Sequence, residues 1–310
     1  MILCCGEALI DMIPAPTDRG RDGFVPYPGG AVFNTAIALG RLGVPAGLLT
    51  GLSRDLFGAQ LAAALHDSGV DTALAIRTDR PTTLAFVELA HGDARYHFFD
   101  ENSAGRMLEP ADMPDLPDHV TSLFLGGISL ACEPGADAYA ALLARAGEAR
   151  AVMIDPNIRP GFIADAARYR QRLAAMLARA DIVKLSGEDL DWLAPGDDPE
   201  AARIARLLAR GPALAIVTRG GDGATAYLTG GSVVSVPARA TRIVDTVGAG
   251  DTFNAGVLAK LAALGLLTRP ALRQLDPEAA RAALTLGARA AAVTVSRPGA
   301  DPPWAADLPD

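Results

Sequence analysis

A chain of 310 residues, half of them hydrophobic and 21% charged, has ample material for a packed core and is excluded from the disordered class. A formal net charge of -8 argues against nucleic acid or an anionic membrane as partner, while leaving room for a small anion in a local pocket. Three cysteines, Cys4, Cys5 and Cys132, form no CxxC pair and make an odd count, which excludes a disulfide framework and points to a reducing, cytoplasmic setting.

The opening MILCCGEALIDMIP lacks a basic leader and is interrupted by Glu7, so it reads as a buried strand rather than a signal peptide, with Asp11 at the end of its pattern. Asp11 to Pro28 is rich in Pro, Gly and charge. PGGAVFNTAIALGRLG (Pro28 to Gly43) then reads as a helix opened by Gly29 and Gly30, with Asn34 one turn inside. Pro81 to Asp100 alternates like antiparallel strands around a turn-like His91 to Asp93. The segments 11–28 and 81–100 are expected to form a small sheet outside the main one, either a lid or surface decoration.

From Ser122 onward short apolar runs alternate with alanine-rich helical stretches. SLFLGG precedes a helix near Ala136 to Ala149, AVMIDPN one at Asp165 to Arg179, and DIVKLS a short one ending near Trp192, while LAIVTRG follows one at Pro199 to Arg210. This rhythm predicts an α/β fold with a mainly parallel sheet covered on both faces, in which ligands sit beyond the carboxyl ends of the strands. No linker divides it, so residues 1–310 read as a single domain. No stretch reaches the ~18 uncharged apolar residues of a membrane span, and His66, His91, His97 and His119 lack zinc-ligand spacing.

The densest chemistry is DTVGAGDTFNAG, Asp245 to Gly256. Glycines at 248 and 250 let backbone amides converge, and the helix predicted from Asp251 to Leu264 adds free N–H donors and the positive end of its dipole. The result is an anion hole suited to phosphate. Asp251 at its rim makes a good N-cap. Alternatively, it takes the proton from a hydroxyl that attacks a bound phosphoryl group. No GxxxxGK[ST], strand-borne GxGxxG, HRD or DFG is present, which removes the P-loop, nicotinamide and protein-kinase classes. In PGGAVFN the glycines permit close approach of a polar ligand, and the Asn34 amide both donates and accepts, as sugar hydroxyls require. An interior Asn after a glycine turn is the plainer reading, as a turn residue is for Asp11. Lys184, one of only two lysines, stands at a strand end where it either contacts phosphate or is a surface residue.

PGGAVFNTAIALGRLG and DTVGAGDTFNAG, in that order, resemble the two signatures of the PfkB (ribokinase-like) family of small-molecule kinases, and the resemblance covers nearly the whole chain. It implies a three-layer α/β/α ribokinase-like core with a small β lid, ATP as phosphoryl donor, and magnesium. It implies Asp251 as catalytic base and Gly248, Ala249 and Gly250 as the anion hole. Asp11, Gly29, Gly30 and Asn34 would contact sugar, and Thr218, Gly220 and Gly223 in VTRGGDG would line the nucleotide. Asp245, the Val247 carbonyl and the loop near Gly299 would hold a monovalent cation, expected to be K+. In KLSGED, Ser186 and Asp189 stand where many members have Asn and Glu ordering the magnesium shell, so Glu188 or Asp189 is expected there.

GEALID and DPNIR (Asp155 to Arg159) resemble bacterial fructokinases and 2-keto-3-deoxygluconate kinases. A sugar acid needs a cation in its pocket. YHFFDENSAGR instead shows Phe99-Asp100-Glu101, with Phe98 or Phe99 placed to pack on sugar carbons, which favours a neutral sugar. Arg106 and Arg159 pull the other way. The expected reaction is phosphorylation of fructose to fructose 6-phosphate. The rivals are a sugar-acid kinase, a nucleoside kinase, and a catalytically silent sugar- or nucleotide-binding regulator on the same fold. A small sheet with an uncovered edge could also pair across a homodimer.

Overall fold

A computed structural model describes residues 1–18, 20–90 and 93–308. The chain begins with β1 (Ile2–Cys5), then leaves the main body as β2 (Leu9–Pro16) and β3 (Asp22–Gly29), and re-enters through α1 (Ala31–Arg41). β4 (Ala46–Leu49), β5 (Gly51–Ser53), α2 (Leu56–Asp67), β6 (Val70–Asp71) and β7 (Ile76–Thr78) follow, and β8 (Leu84–Ala90) and β9 (Asp93–Phe99) make a second excursion. The expected turn at His91 to Asp93 falls largely on residues 91 and 92, outside the described residues.

The second half runs β10 (Ser122–Gly126), α3 (Gly135–Arg145), β11 (Ala151–Asp155), α4 (Ala166–Arg179), β12 (Ile182–Ser186), α5 (Gly187–Leu193), α6 (Glu200–Leu208) and β13 (Leu214–Thr218). It closes with β14 (Ala224–Leu228), β15 (Val233–Val236), α7 (Ala249–Ala263), α8 (Arg269–Arg273) and α9 (Pro277–Val295). Asp165 caps α4 by accepting from the amides of Ala167 and Arg168, as an Asp before an alanine-rich run should.

Among the described residues, nine strands form one sheet in the order β15-β14-β13-β12-β11-β10-β1-β4-β6. All its pairings are parallel except those of β14, which is antiparallel to both neighbours. Side chains alternate between the two faces. Cys4, Phe124, Met153, Ile182 and Ile216 pack under α1, α7 and α9. Leu3, Leu125, Ile154, Val183 and Val217 pack under α3, α4 and α5. Near-continuous apolar strands are what burial on both faces demands, and the three-layer architecture follows. α7 is apolar on every side and lies sandwiched against α1 and α9. No helix among the described residues is long and apolar enough to cross a membrane.

The two excursions meet in a four-stranded sheet, β3-β2-β8-β9, separate from the main one. β2 and β3 pair antiparallel from Leu9↔Gly29 to Pro16↔Asp22. Asp11 therefore lies inside a strand of this smaller sheet and not at the end of the first strand, because the chain breaks at Gly6 and restarts at Leu9. The helix expected from Asp251 starts two residues earlier, at Ala249, with Gly248 as N-cap at φ 77°.

Candidate active site

The carboxyl ends of the parallel strands, the N-termini of α1 and α7, and the smaller sheet enclose a cavity of about 950 Å³. From the smaller sheet, Asp11, Tyr96 and Phe98 face into it. Tyr96 and Phe98 are two residues apart, so strand alternation puts them on one face, and it turns the exposed Phe99 to the other. Phe98 packs edge-on against Phe162 with ring centroids 4.5 Å apart. Of the two phenylalanines considered from sequence, Phe98 is the one at the cavity.

Asp251 lies at the floor. It is the third residue of α7, so its backbone is already helical and it is not the N-cap. Its Oδ2 accepts a 2.9 Å hydrogen bond from Asn34 Nδ2, and its backbone carbonyl accepts from Thr35 Oγ1 at 3.2 Å. α1 thus grips α7 through two side chains, 217 and 216 residues away in sequence. Burial pushes the Asp251 carboxyl up to about 7, Asp155 and Glu7 reinforce the rise, and Asn34 and Lys184 moderate it. A carboxylate poised near neutrality is suited to taking a proton.

Gly248, Ala249 and Gly250 line the same cavity immediately before Asp251. At Gly248 the left-handed φ of 77° suits glycine, and a Cβ there would lie 2.7 Å from the Ala300 methyl. The Ala249 amide, expected in the hole, donates instead to the Thr246 carbonyl at 3.3 Å, whereas the Gly250 and Asp251 amides have no carbonyl partner among the described residues and remain available as donors to an anion.

Lys184 lies at the middle of β12 and is buried, neither at the strand end nor on the surface. Its Nζ bonds Asp155 Oδ2 at 2.9 Å, and Asn254 Nδ2 donates to the same oxygen at 2.7 Å. Burial alone would lower the lysine, but Asp155, with help from Asp189 and Asp251, brings the net shift upward and keeps it charged. A methyl group on Gly250 would approach Lys184 Nζ to 3.4 Å, so the ammonium borders the amide hole.

Gly30 and Asn34 of α1 reach the cavity; Gly29 does not line it but presses on Asp11, whose Oδ2 would be 2.2 Å from a Cβ at that position. Burial raises Asp11 to about 6. Arg159 lines the cavity. Arg106 does not: it is committed to Asp100 at 2.9 Å and the Glu133 carbonyl at 3.0 Å, so it is unavailable to a sugar carboxylate.

Thr218 and Gly220 border both this cavity and an adjoining one of about 590 Å³, which Gly223 also lines. Ile243, Phe253, Ala292 and Val295 supply the second cavity with apolar walls fit for a flat ring system.

Asp189 is taken up structurally. Ser186 Oγ accepts from the Asp189 amide, and Asp189 Oδ2 accepts from the Ser186 amide and hydroxyl, while Oδ1 accepts from the Ile158 amide at 2.7 Å. This capping box opens α5 and leaves Glu188 as the carboxylate of the pair with no protein donor among the described residues. No cluster of three or more His, Cys, Asp or Glu converges as a metal cage among the described residues. A divalent ion here fits one carried mainly by phosphate oxygens and water. Asp245 Oδ1 accepts from the Val247 amide at 3.0 Å and Oδ2 from Gly299 at 2.9 Å, tying the two loops named for a monovalent cation together beside α7.

Glu7, Asp155 and Asn254 were given no role from sequence. Glu7, buried at the end of β1, accepts from the Ala31 amide at 3.1 Å and from the Ser129 amide and hydroxyl, and burial raises its carboxyl. It anchors the start of α1.

The model of the pfkB family carbohydrate kinases matches residues 1–307. A fructokinase of Rhizobium leguminosarum bv. trifolii is 50% identical over 281 residues, covering 91% of this chain and 86% of the relative. The crystal structure of a fructokinase with bound ATP from Xylella fastidiosa superposes with a TM-score of 0.87 at 30% identity, covering 96% of this chain and 93% of that one. A Vibrio cholerae O395 fructokinase double mutant, in a form binding fructose, ADP and potassium ion, superposes with a TM-score of 0.82 at 25% identity, covering 96% and 93%.

Proposed function

The chain belongs to the pfkB family of carbohydrate kinases, and from that premise we propose that it transfers the γ-phosphoryl group of ATP to the primary hydroxyl of fructose, giving fructose 6-phosphate. The observation that carries this reading is Asp251, buried at the mouth of a glycine-amide hole and gripped by Asn34 from the opposite helix. The 50% identity to a bacterial fructokinase supports the choice of sugar.

Sugar lies between Asp11, Asn34 and Phe98, with Gly30 allowing close approach and Gly29 leaving room for the Asp11 carboxylate. ATP lies over Thr218, Gly220 and Gly223, with its phosphates toward Lys184 and Ser186. Asp251 accepts the proton as the hydroxyl oxygen bonds to phosphorus and the bond to the leaving ADP oxygen breaks. The amides of Gly248 and Gly250 and the Lys184 ammonium receive the charge of the migrating group. Magnesium, with Glu188 rather than Asp189 nearest its water shell, would neutralise the phosphates. Potassium between Asp245, the Val247 carbonyl and the Gly299 loop would fix the backbone ahead of the hole. The smaller sheet acts as a lid that excludes water. Its outer face carries exposed Phe24 and Phe99, which support pairing with a second copy.

A second reading, a sugar acid as acceptor, is favoured by Arg159 in the cavity wall. Release of ADP measured over fructose, 2-keto-3-deoxygluconate, ribose, tagatose and adenosine separates the two. Fructose should give the highest kcat/KM, and a preference for the acid would overturn the substrate assignment. Asp251→Asn should lower kcat by about 10²–10⁴-fold with fructose KM largely kept. Wild-type turnover in that variant would remove the base.

A further inference from the structure

Asp155, the last residue of β11, borders the cavity, with one oxygen engaged twice and the other buried without a partner among the described residues. Its two donors come from different elements. Lys184 is on the neighbouring strand, and Asn254 lies three residues past Asp251, hence on the same face of α7. From α1, Asn34 holds the Asp251 carboxyl and Thr35 its backbone carbonyl. α7 is therefore pinned at its first turn from α1 and at its second from β11.

We propose that Asp155 is a positioning residue for phosphoryl transfer. By gathering Lys184 Nζ and Asn254 Nδ2 on one oxygen, it fixes the ammonium beside Gly250 and sets the rotation of α7 that aims Asp251 at the acceptor hydroxyl. The inference rests on the reading of Asp251 as base. An ammonium on a flexible four-carbon stem would otherwise sample several positions, and misplacement by an ångström at the hole is costly. A carboxylate lacking a full set of donors inside a packed core is what a position kept for geometry rather than stability looks like. The ionisable groups facing Asp251 are Glu7 from the end of β1, Asp155 from β11 and Lys184 from β12, while α1 presents Asn34 and α9 meets the neighbouring Thr252 through uncharged Thr294.

The test measures kcat, fructose KM and the pH profile of kcat for Asp155→Asn, Lys184→Met and Asn254→Leu, with thermal unfolding as a check on folding. Asp155→Asn and Lys184→Met should each lower kcat by about 10–100-fold with fructose KM within about threefold. Their acidic limbs should move in opposite directions, by roughly half a pH unit or more, down for Asp155→Asn and up for Lys184→Met. A residue that only stabilised the fold would lower melting temperature without opposed limb shifts. Should Asp155→Asn fail to fold, Asn254→Leu keeps the ion pair and should still lower kcat by about 3–10-fold at unchanged KM. Wild-type kcat in folded Asp155→Asn or Asn254→Leu, or unmoved limbs, would overturn the proposal. If Asp251→Asn also retained turnover, the base assignment itself would fall. An inactive Asp251→Asn beside a fully active Asp155→Asn removes only the positioning role.

Discussion

Replacing Asp251 by Asn should yield a dead enzyme that is more stable than its parent, and more so as pH rises. Burial raises the Asp251 carboxyl from 3.8 to about 7. The folded state thus binds a proton that the unfolded state has released, and stability falls with pH between those two values. At about 1.4 kcal/mol per unit, the gap corresponds to about 4 kcal/mol once the carboxylate is charged in both states. Below pH 4 the carboxyl is protonated folded and unfolded, and the penalty is absent. Asparagine carries no charge at any pH and can keep the contact with Asn34 by turning its amide, so the variant escapes the penalty. The stability gap should therefore widen from near zero at pH 4 to its full size above pH 7. For 310 residues the unfolding entropy is about 0.65 kcal/mol/K, so the variant should melt about 6 °C higher at pH 8. Thermal unfolding of both proteins by circular dichroism from pH 5 to 8.5 reads this directly, because other titrations are common to both and cancel. A gap independent of pH, or a variant that melts lower at pH 8, would show that the fold does not hold Asp251 at a raised proton affinity.

The same group governs the rate. Turnover of wild type should rise about fivefold from pH 6 to 7 and less than twofold from 7 to 8, since only the ionised base acts; a flat profile under saturating substrates would contradict it. Gly248→Ala forces a left-handed φ on alanine and a contact with Ala300, so kcat should fall at least about tenfold with fructose KM within about threefold; unchanged turnover would mean the hole does not need that amide. Turnover should be severalfold higher in potassium than in choline chloride, and equal rates would dismiss a cation held by Asp245 and the Gly299 loop.

Much of this was legible in the residues, because strand–helix alternation and glycine-bounded helix starts are local patterns. Asp251, Asn34 and the amides at 248–250 sit in such patterns, and they meet in one cavity. The ion pair of Asp155 was not legible: its partners lie 29 and 99 residues away, and no local spacing announces them. Asn254 had a faint signal, three residues from Asp251 on a helix. Ser186 and Asp189 had a clear one, since Ser-x-x-Asp at a helix start is a capping box. The resemblance drew that aspartate toward the metal, whereas the backbone amides take both of its oxygens. The helix start shifted from Asp251 to Ala249 because Gly248 supplies the left-handed turn, a conformation the sequence permits without fixing its place.

All three sulfhydryls of the chain are buried, and burial raises each thiol well above its ordinary range of ionisation. They are poor targets for alkylating dyes. A single surface cysteine, introduced for instance by Tyr27→Cys on the smaller sheet, can therefore be labelled in the otherwise native sequence. The opening and shutting of that sheet over its guest then becomes observable by fluorescence.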